Sequence, residues 1–378
     1  MELTDKKIIY AALFLVSMLL SACGGGGSGS TSTGTTTVLS AYVANSGDNT
    51  ISQYTINATT GALTPKAPAT VASISGVTNS TPTSITVDPS GKHAYVANSG
   101  VEFISQFSIG AGGGLVPMNP ATVQSGLAGS GPISVTVDPM GRYVYAANSG
   151  DNTVSLFTVN TGGSLTFVST FTSGTGSPPG PVSVTVDPTG KYVYVVNQSS
   201  NSISQYTIGV GGSLAAMGSP VTTGTSPVSI SIDPAGKYAY VANYGNNTIT
   251  QYNIVSGALS PAATVGGPTT TLSNPTSIAI DPSGTHAYVA NGSGVYLYSI
   301  ITGALIDNMS PNTILTGGTT PRSITLDGSG KFVYVANQGS DSISQFTIGA
   351  GGTLSTPTVI SGAVNSQPYS ITTAVSIQ

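Results

Sequence analysis

The sequence is poor in the residues that build disulfides, metal centres and polyanion-binding surfaces. It has one cysteine, two histidines and no tryptophan, and only 6% of its 378 residues are charged. One cysteine excludes an intramolecular disulfide and a cysteine-ligated cluster or zinc site, and two histidines exclude a three-histidine zinc site. Nine Lys and Arg against 13 Asp and Glu give a net charge of -4, which is the wrong sign for binding a phosphate backbone. We therefore expect no metal, no cofactor and no nucleic-acid partner.

Glycine and proline are abundant instead. The chain has 49 Gly and 23 Pro, which disfavours helices, while hydrophobic residues reach 39% and suffice for a core. Low charge alone does not indicate disorder, because disordered chains combine few apolar residues with high charge. The composition is that of a folded β protein.

The N-terminal residues have the pattern of an export signal. Lys6 and Lys7 precede a 13-residue apolar run, residues 8–20, which is shorter than the about 20 residues that span a bilayer. The segment Leu-Ser-Ala-Cys at residues 20–23 resembles the lipobox of bacterial lipoproteins. That resemblance implies cleavage before Cys23 and acylation of this residue. An ordinary secretory signal with an incidental cysteine is the alternative.

This pattern divides the chain into three parts. Residues 1–22 are predicted to be a signal peptide, residues 23–37 the lipidated Cys23 with a flexible Gly/Ser/Thr tether, and residues 38–378 a folded domain. Acyl chains on Cys23 would make the membrane a partner of the protein. By resemblance, Gly24 after the cysteine favours the outer membrane, so we expect a lipid-anchored envelope protein that faces the periplasm or the cell surface.

From residue 38 onward the sequence repeats. Two motifs recur seven times each, Y-V-A-N or a close variant and P-x-S followed by alternating apolar and hydroxyl residues. Periods of 40 to 50 residues with short apolar runs are typical of propeller blades. The first motif ends at Asn45, Asn98, Asn148, Asn197, Asn243, Asn291 and Asn337, and the second begins at Pro82, Pro132, Pro181, Pro227, Pro275, Pro321 and Pro368.

Each repeat predicts four strands, which we call a, b, c and d. The P-x-S segment gives strand a, Y-V-A-N ends strand b, an I-S-Q-Y-T-I type segment gives strand c, and a further apolar stretch gives strand d. Strand b of the first repeat has no P-x-S segment before it, and the segment that begins at Pro368 has no Y-V-A-N after it. We therefore predict an all-β, seven-bladed propeller of four-stranded antiparallel blades, closed by pairing of the C-terminal strand with the N-terminal strands.

The repeats at residues 88–98 and 331–337 resemble those of lactonase-type seven-bladed propellers, the 6-phosphogluconolactonase-like family, and those of YVTN-repeat propellers. The resemblance implies the propeller fold and, as one possible activity, hydrolysis of a lactone. The lactonases usually carry P-R-H at the start of an inner strand, H-P at the next turn and V-N-E after strand b. Here Arg322 alone matches part of that pattern, and no histidine follows any P-x motif.

Charged residues that recur in every repeat are expected to be structural. Eleven of them flank the Gly of the turn between strands a and b, where Asp accepts backbone N–H bonds. Asp48, Asp151 and Asp341 are predicted to be hairpin residues, and His93 and His286 to be packed rings near the a–b turn. The charged residues left over are Lys66, Glu102, Asp307 and Arg322. In the lactonase interpretation Arg322 and Glu102 are the catalytic candidates, and we expect both to project toward the same rim of the ring.

The seven asparagines at the ends of strand b, with the serines of P-x-S, fall at one end of the blades and are predicted to form a polar mouth. Asn and Ser donate and accept hydrogen bonds without charge, which suits sugars, peptides or other polar polymers. Strand-terminating Asn that bonds its own backbone is the structural alternative. The main functional hypothesis is a lipid-anchored, non-catalytic binding or scaffolding module for a glycan or another envelope protein, through this face and Arg322. A lactonase and a plain surface-coat component are the alternatives.

Overall fold

The computed structural model describes residues 37–174, 180–266, 272–292, 294–307 and 313–377. These residues form seven antiparallel sheets, each a blade whose strands lie side by side in the order a, b, c, d. The predicted seven-bladed propeller is confirmed. No helix within the described ranges is long and apolar enough to cross a membrane.

The first four blades contain these strands: β1 (Thr37–Asn45), β2 (Thr50–Ile56), β3 (Leu63–Ala72), β4 (Pro82–Val87), β5 (His93–Asn98), β6 (Phe103–Ile109), β7 (Leu115–Gln124), β8 (Pro132–Val137), β9 (Tyr143–Asn148), β10 (Thr153–Val159), β11 (Leu165–Thr172), β12 (Pro181–Val186), β13 (Tyr192–Asn197), β14 (Ser202–Ile208), β15 (Leu214–Ala216) and β16 (Val221–Thr222).

The remaining strands are β17 (Pro227–Ile232), β18 (Tyr238–Asn243), β19 (Thr248–Val255), β20 (Ala258–Gly266), β21 (Ser277–Ile280), β22 (His286–Asn291), β23 (Gly294–Ile301), β24 (Ala304–Ile306), β25 (Thr313–Ile314), β26 (Pro321–Leu326), β27 (Phe332–Asn337), β28 (Ser342–Thr347), β29 (Thr358–Ser361) and β30 (Pro368–Ile377). In blades 4 and 6 strand d is in two pieces, β15 with β16 and β24 with β25. Short 3-10 turns cover Ala111–Gly113, Val210–Gly212, Gln338–Ser340 and Ala350–Gly352.

The ring closes within blade 1. Strand β30, at the C-terminus, is the inner strand of the sheet β3-β2-β1-β30 and pairs with β1 from Thr37↔Ile377 to Asn45↔Pro368. The predicted closure is therefore confirmed. Pairing with β30 covers the inner edge of β1, so blade 1 ends in an inner strand like the other blades.

The core lies between neighbouring blades rather than within one. Strand b is buried on both faces, since each blade is covered by the next, and this explains why Y-V-A is continuously apolar instead of alternating. The cluster of Ala41, Val43, Tyr334 and Ala336, for example, joins blade 1 to blade 7.

A tyrosine in strand b of each blade also bonds to the next blade. Its hydroxyl donates to a glycine carbonyl in the c–d hairpin of that blade, over 2.6 to 2.9 Å. Glycine is required there because φ is positive and a Cβ at Gly303, for instance, would lie 2.2 Å from the Tyr238 ring. The seven pairs are Tyr42–Gly113, Tyr95–Gly163, Tyr145–Gly212, Tyr194–Gly257, Tyr240–Gly303, Tyr288–Gly352 and Tyr334–Gly61.

The two ends of the ring are chemically different, and we name them by their loops. The turn end carries the a–b turns and c–d hairpins, and the mouth end carries the P-x-S residues with the b–c and d–a loops. At the turn end the aspartates have the predicted role: Asp187 Oδ1 accepts the backbone N–H groups of Lys191 and Tyr192, each over 2.8 Å. His93 is a packed ring there, as predicted, with Nδ1 3.2 Å from Asp88 Oδ2.

Candidate functional site

A cavity of about 290 Å³ lies at the mouth end, where the inner strands of all seven blades begin. It is lined by the second and third residues of every P-x-S motif, together with Gln198. The lining residues are Thr83, Ser84, Ile133, Ser134, Val182, Ser183, Val228, Ser229, Thr276, Ser277, Arg322, Ser323, Tyr369, Ser370 and Gln198.

A β-bulge presents the middle residue of the motif to this cavity. In blade 2, Pro82 pairs with Asn98 and Ser84 with the adjacent Ala97, so that Thr83 has no partner across the ladder. The same register shift occurs between Pro321 and Ser323. A bulge of this kind bends the strand and re-aims the extra side chain, and it is common beside active sites. The residue at this position differs among the blades and is Thr, Ile, Val, Arg or Tyr.

The serine of the motif joins one inner strand to the next at five of the seven positions. Strand a is the inner edge of its sheet. Its N–H groups on that edge therefore have no neighbouring strand of the same sheet to bond to, and they need other acceptors. Ser84 Oγ accepts the N–H of Val135 over 3.1 Å, and Ser323 Oγ accepts that of Ile371 over 3.2 Å. A hydroxyl that accepts such a bond still has its own hydrogen to donate. The rim of the cavity is thus a rigid ring of hydroxyl groups.

Arg322 is the only charged residue that lines the cavity in the described part of the chain. It lies on β26 and is half-buried, with its guanidinium carbon 4.3 Å from the centre of the Tyr369 ring on β30. Arg322 Nη2 also donates to the Tyr369 hydroxyl oxygen. Stacking holds the guanidinium plane in place, while its other N–H groups can form paired bonds to a carboxylate.

Glu102, the other catalytic candidate, is at the mouth end but does not line the cavity. Its Oε1 accepts the N–H of Gly129 over 2.9 Å, which fixes the b–c loop to the following d–a loop. Asn49 does the same for Thr81 over 2.8 Å, and Asn201 for Ser226 over 2.7 Å. All three residues stand four positions after the strand-b asparagine. The structure therefore does not bring Glu102 and Arg322 into one site, and alignment on that asparagine would have shown Glu102 to be a repeat residue.

The seven asparagines of strand b lie inside the blades, with 0 or 1% of their surface exposed, and none of them lines the cavity. Asn148 Nδ2 donates to Thr153 Oγ1 over 2.9 Å and to Ser155 Oγ over 2.7 Å, and its Oδ1 accepts from Ser125 Oγ over 2.7 Å. The hydroxyls stand five and seven positions after the asparagine, a spacing visible in the sequence. The polar groups of the cavity therefore come from the P-x-S residues and Gln198, and not from these asparagines.

The remaining singled-out residues lie elsewhere. Lys66 Nζ donates to Thr55 Oγ1 and Gly112 O, and burial lowers the pKa of Lys66. Asp307 Oδ2 accepts the Tyr296 hydroxyl over 2.6 Å. Cys23 lies outside the described residues. Among the described residues, no three His, Cys, Asp or Glu side chains are grouped to hold a metal ion.

Seven blades, an inner-strand closure and a polar cavity at one end of the axis define the class of protein. The family model described as lactonase, 7-bladed beta-propeller, matches residues 115–210, 202–291 and 259–364. These overlapping matches cover more than half of the chain, which therefore belongs to the lactonase family of propellers. No sequence among curated proteins matches the chain significantly.

Solved structures show the same fold at low sequence identity. A candidate 6-phosphogluconolactonase of Bacteroides uniformis is 20% identical, with a TM-score of 0.74 over 89% of this chain and 99% of that one. The periplasmic gluconolactonase of Pseudomonas aeruginosa is 17% identical, with a TM-score of 0.74 over 90% and 99%. Virginiamycin B lyase of Staphylococcus aureus is more distant, 15% identical with a TM-score of 0.57 over 79% and 95%. Likeness at these identities establishes the fold alone.

Proposed function

We propose that the mouth cavity binds a hydroxylated lactone and promotes opening of its ring, with Arg322 as the residue that contacts the reacting carboxyl group. The observation that carries this proposal is the position of Arg322 as the one cation in a cavity otherwise lined by uncharged side chains of the described residues. Membership of the lactonase family supports it, as does the fold shared with a gluconolactonase.

The chemistry needs one developing negative charge to be stabilised. Water adds to the lactone carbonyl carbon, the carbonyl oxygen becomes an oxyanion, and the ring C–O bond then breaks to give a hydroxyl group and a carboxylic acid that loses its proton to solvent. A guanidinium directed at that oxygen stabilises the oxyanion more than the neutral lactone. The same N–H groups bind the product carboxylate in pairs. We therefore expect the product to compete with the substrate.

The lining also selects the substrate class. Seven serine hydroxyls face a lactone that carries hydroxyl groups of its own, and the single cation matches the single carboxylate of the product. A phosphorylated lactone would place an additional charge in a cavity that has only Arg322 to balance it. We propose an unphosphorylated sugar lactone as the substrate.

The test is hydrolysis of glucono-1,5-lactone followed by titration of the released acid. Wild-type protein is expected to exceed the uncatalysed rate, and Arg322→Gln to lower the catalysed rate on the order of 10²-fold, the usual effect of losing one oxyanion donor. Lys331→Gln is the matched control, because it removes a cation from the same blade at the turn end. Equal rates for wild type and Arg322→Gln would contradict the proposal.

Binding without turnover is the second candidate function. It is favoured by the lining itself, in which the described residues include no carboxylate or imidazole that could take a proton from water. In that case gluconate or a neutral glycan binds in calorimetry, Arg322→Gln weakens gluconate binding, and hydrolysis stays at the uncatalysed rate. A partner protein of the envelope would instead bind over the mouth-end loops.

We also propose that the domain is held in the cell envelope by acyl groups on Cys23. The support is the Leu-Ser-Ala-Cys segment that ends the apolar run of residues 8–20. Membrane fractionation and mass measurement of the purified protein test this proposal. Cys23→Ser is expected to release the protein into the soluble fraction, and a chain of unmodified mass in the membrane would contradict acylation.

A further inference from the structure

The chain enters the propeller at the turn end. Strand β1 begins at Thr37 opposite Ile377, four residue pairs beyond the Ala41↔Thr373 pair. That pair corresponds to Val87↔Ala94, the last ladder pair before the turn of blade 2. At about 3.3 Å per residue, β1 and β30 extend roughly 13 Å past this level.

The extension is fixed in place by its neighbours. Ser376 Oγ on β30 donates to the carbonyl oxygen of Gly91 over 2.8 Å, and Gly91 belongs to the a–b turn of blade 2. A Cβ on Gly91 would lie 2.1 Å from the carbonyl oxygen of Val375, so the contact is close. The position of Thr37 on the turn-end side is therefore part of the fold.

Only thirteen residues, 24–36, separate Cys23 from Thr37. A chain of that length reaches at most about 50 Å when fully extended. To bring the mouth end against a bilayer, these residues would have to pass outside strands c and d and then run the full height of the blade, where a strand of 6 residues alone rises about 20 Å. A path to the mouth end would use most of that reach, whereas a bilayer beside the turn end requires little of it.

The charged side chains also differ between the two ends of the ring. The acids of the mouth-end loops, such as Asp151 and Asp341, are half-buried, and so is Arg322, the cation there. At the turn end the aspartates are bonded inward to backbone N–H groups, as Asp187 is, and the outermost charges are positive. Exposed cations suit anionic lipid headgroups. They are Lys92, Lys191, Lys237 and Lys331, while Arg142 is also exposed but forms an ion pair with Asp138 over 3.0 Å.

We propose that the turn end lies against the membrane and that the mouth with Arg322 opens away from it, toward solutes. This inference rests on the proposed acylation of Cys23. The partner surface is a lipid bilayer, held at Cys23 by acyl chains and contacted by the turn-end lysines. Isolated apolar side chains occur at both ends, such as Val210 with 99% and Leu127 with 78% exposure, so they do not decide the orientation.

The test uses those two residues as labelling sites. Acylation leaves Cys23 without a free thiol, so Val210→Cys and Leu127→Cys each give the full chain one reactive cysteine for a fluorophore. Each protein is reconstituted, after its acylated mass is verified, in phosphatidylcholine vesicles that contain a lipid with a nitroxide headgroup. We expect the Val210 label at the turn end to be quenched at least about twofold more than the Leu127 label at the mouth end. Adding phosphatidylglycerol should increase the difference.

The other outcomes are distinct. Equal quenching, or stronger quenching at Leu127, in acylated protein overturns the orientation and leaves the anchoring intact. A protein without acyl groups overturns the anchoring and the orientation together. A difference that phosphatidylglycerol does not increase, or that Lys191→Gln with Lys237→Gln does not reduce, overturns the contact by the lysines.

Discussion

The turn end and the mouth end of the ring are built from the same strands, but their side chains follow different rules. At the turn end the Asp of the a–b turn and the Gly of the c–d hairpin recur in blade after blade, and their hydrogen bonds recur with them. At the mouth end the position between Pro and Ser differs among the blades and faces the cavity. The comparison suggests that the turn end stabilises the ring while the mouth end carries the specificity. Four changes test this division, taken from the largest expected effect to the smallest.

Deletion of residues 364–378 removes β30, which spans both ends of blade 1. Strand β1 then loses its inner neighbour and becomes an exposed edge, so we expect aggregation and loss of the monomer. Light scattering after size exclusion measures this. The control is deletion of residues 375–378, which leaves the strand within the ring in place and should keep the protein monomeric. A monomeric protein with unchanged melting after the longer deletion would contradict the closure.

Gly212→Ala is expected to be strongly destabilising at the turn end. Gly212 has φ of +83°, and a Cβ there would lie 2.6 Å from the Tyr143 ring. Strain and overpacking together should lower the free energy of unfolding by roughly 3 kcal/mol. The neighbouring Gly211→Ala is the matched control: φ is +71° but nothing lies within 4 Å, so about 1 kcal/mol is expected. Equal losses in urea unfolding would show that the contact between blades is not tight.

High pH should weaken the contacts between blades through the buried tyrosines. Burial raises the pKa of Tyr42 to about 12, and it raises that of Tyr240 also. A raised pKa in the folded state means that stability is complete below the unfolded value of 10.0 and is lost as the pH rises through the folded value. Between the unfolded and the folded pKa, each such tyrosine lowers the free energy of unfolding by about 1.4 kcal/mol per pH unit. Several tyrosines together should therefore give a steep alkaline unfolding transition.

Circular dichroism against pH, with tyrosinate absorbance in parallel, measures this loss. Tyr240→Phe is the informative variant, because it removes one titrating group together with its bond to Gly303. It should reduce the steepness of the alkaline transition and cost about 1 kcal/mol at neutral pH. Tyrosines that titrate well before the fold is lost would argue against the seven hydroxyls as contacts between blades.

Changes at Glu102 should have the smallest effect. They distinguish the mouth-end residues that join loops from those that line the cavity. Glu102→Gln keeps an acceptor for the Gly129 N–H, whereas Glu102→Ala removes it and should cost about 1 kcal/mol. Neither is expected to alter lactone hydrolysis or gluconate binding, since the side chain is not in the cavity. A selective loss of hydrolysis in Glu102→Gln, with the melting temperature unchanged, would restore Glu102 as a catalytic candidate.

The fold was largely predictable because the same pattern of strands recurs in seven repeats. Strand types, blade number and closure follow from the Y-V-A-N and P-x-S motifs and from the unmatched Pro368 segment. Arg322 was also predictable, since removing the residues that recur leaves few charges to consider.

The surroundings of the site were not predictable in the same way. Whether an asparagine faces the cavity or the interior depends on the hydroxyls opposite to it, as Thr153 and Ser155 are to Asn148. The bulge that turns residue 83 or 322 into the cavity is a shift of register between two strands, and P-x-S alone does not reveal it. The equivalence of Glu102 to Asn49 was missed because its blade has a different b–c loop sequence.

Closure by the last strand also has a consequence for how the chain is made. During synthesis β1 emerges from the ribosome long before β30, so six blades can assemble while blade 1 still lacks its inner strand. Until β30 has been synthesised the ring stays open, and the nascent chain can be unfolded without breaking that closure.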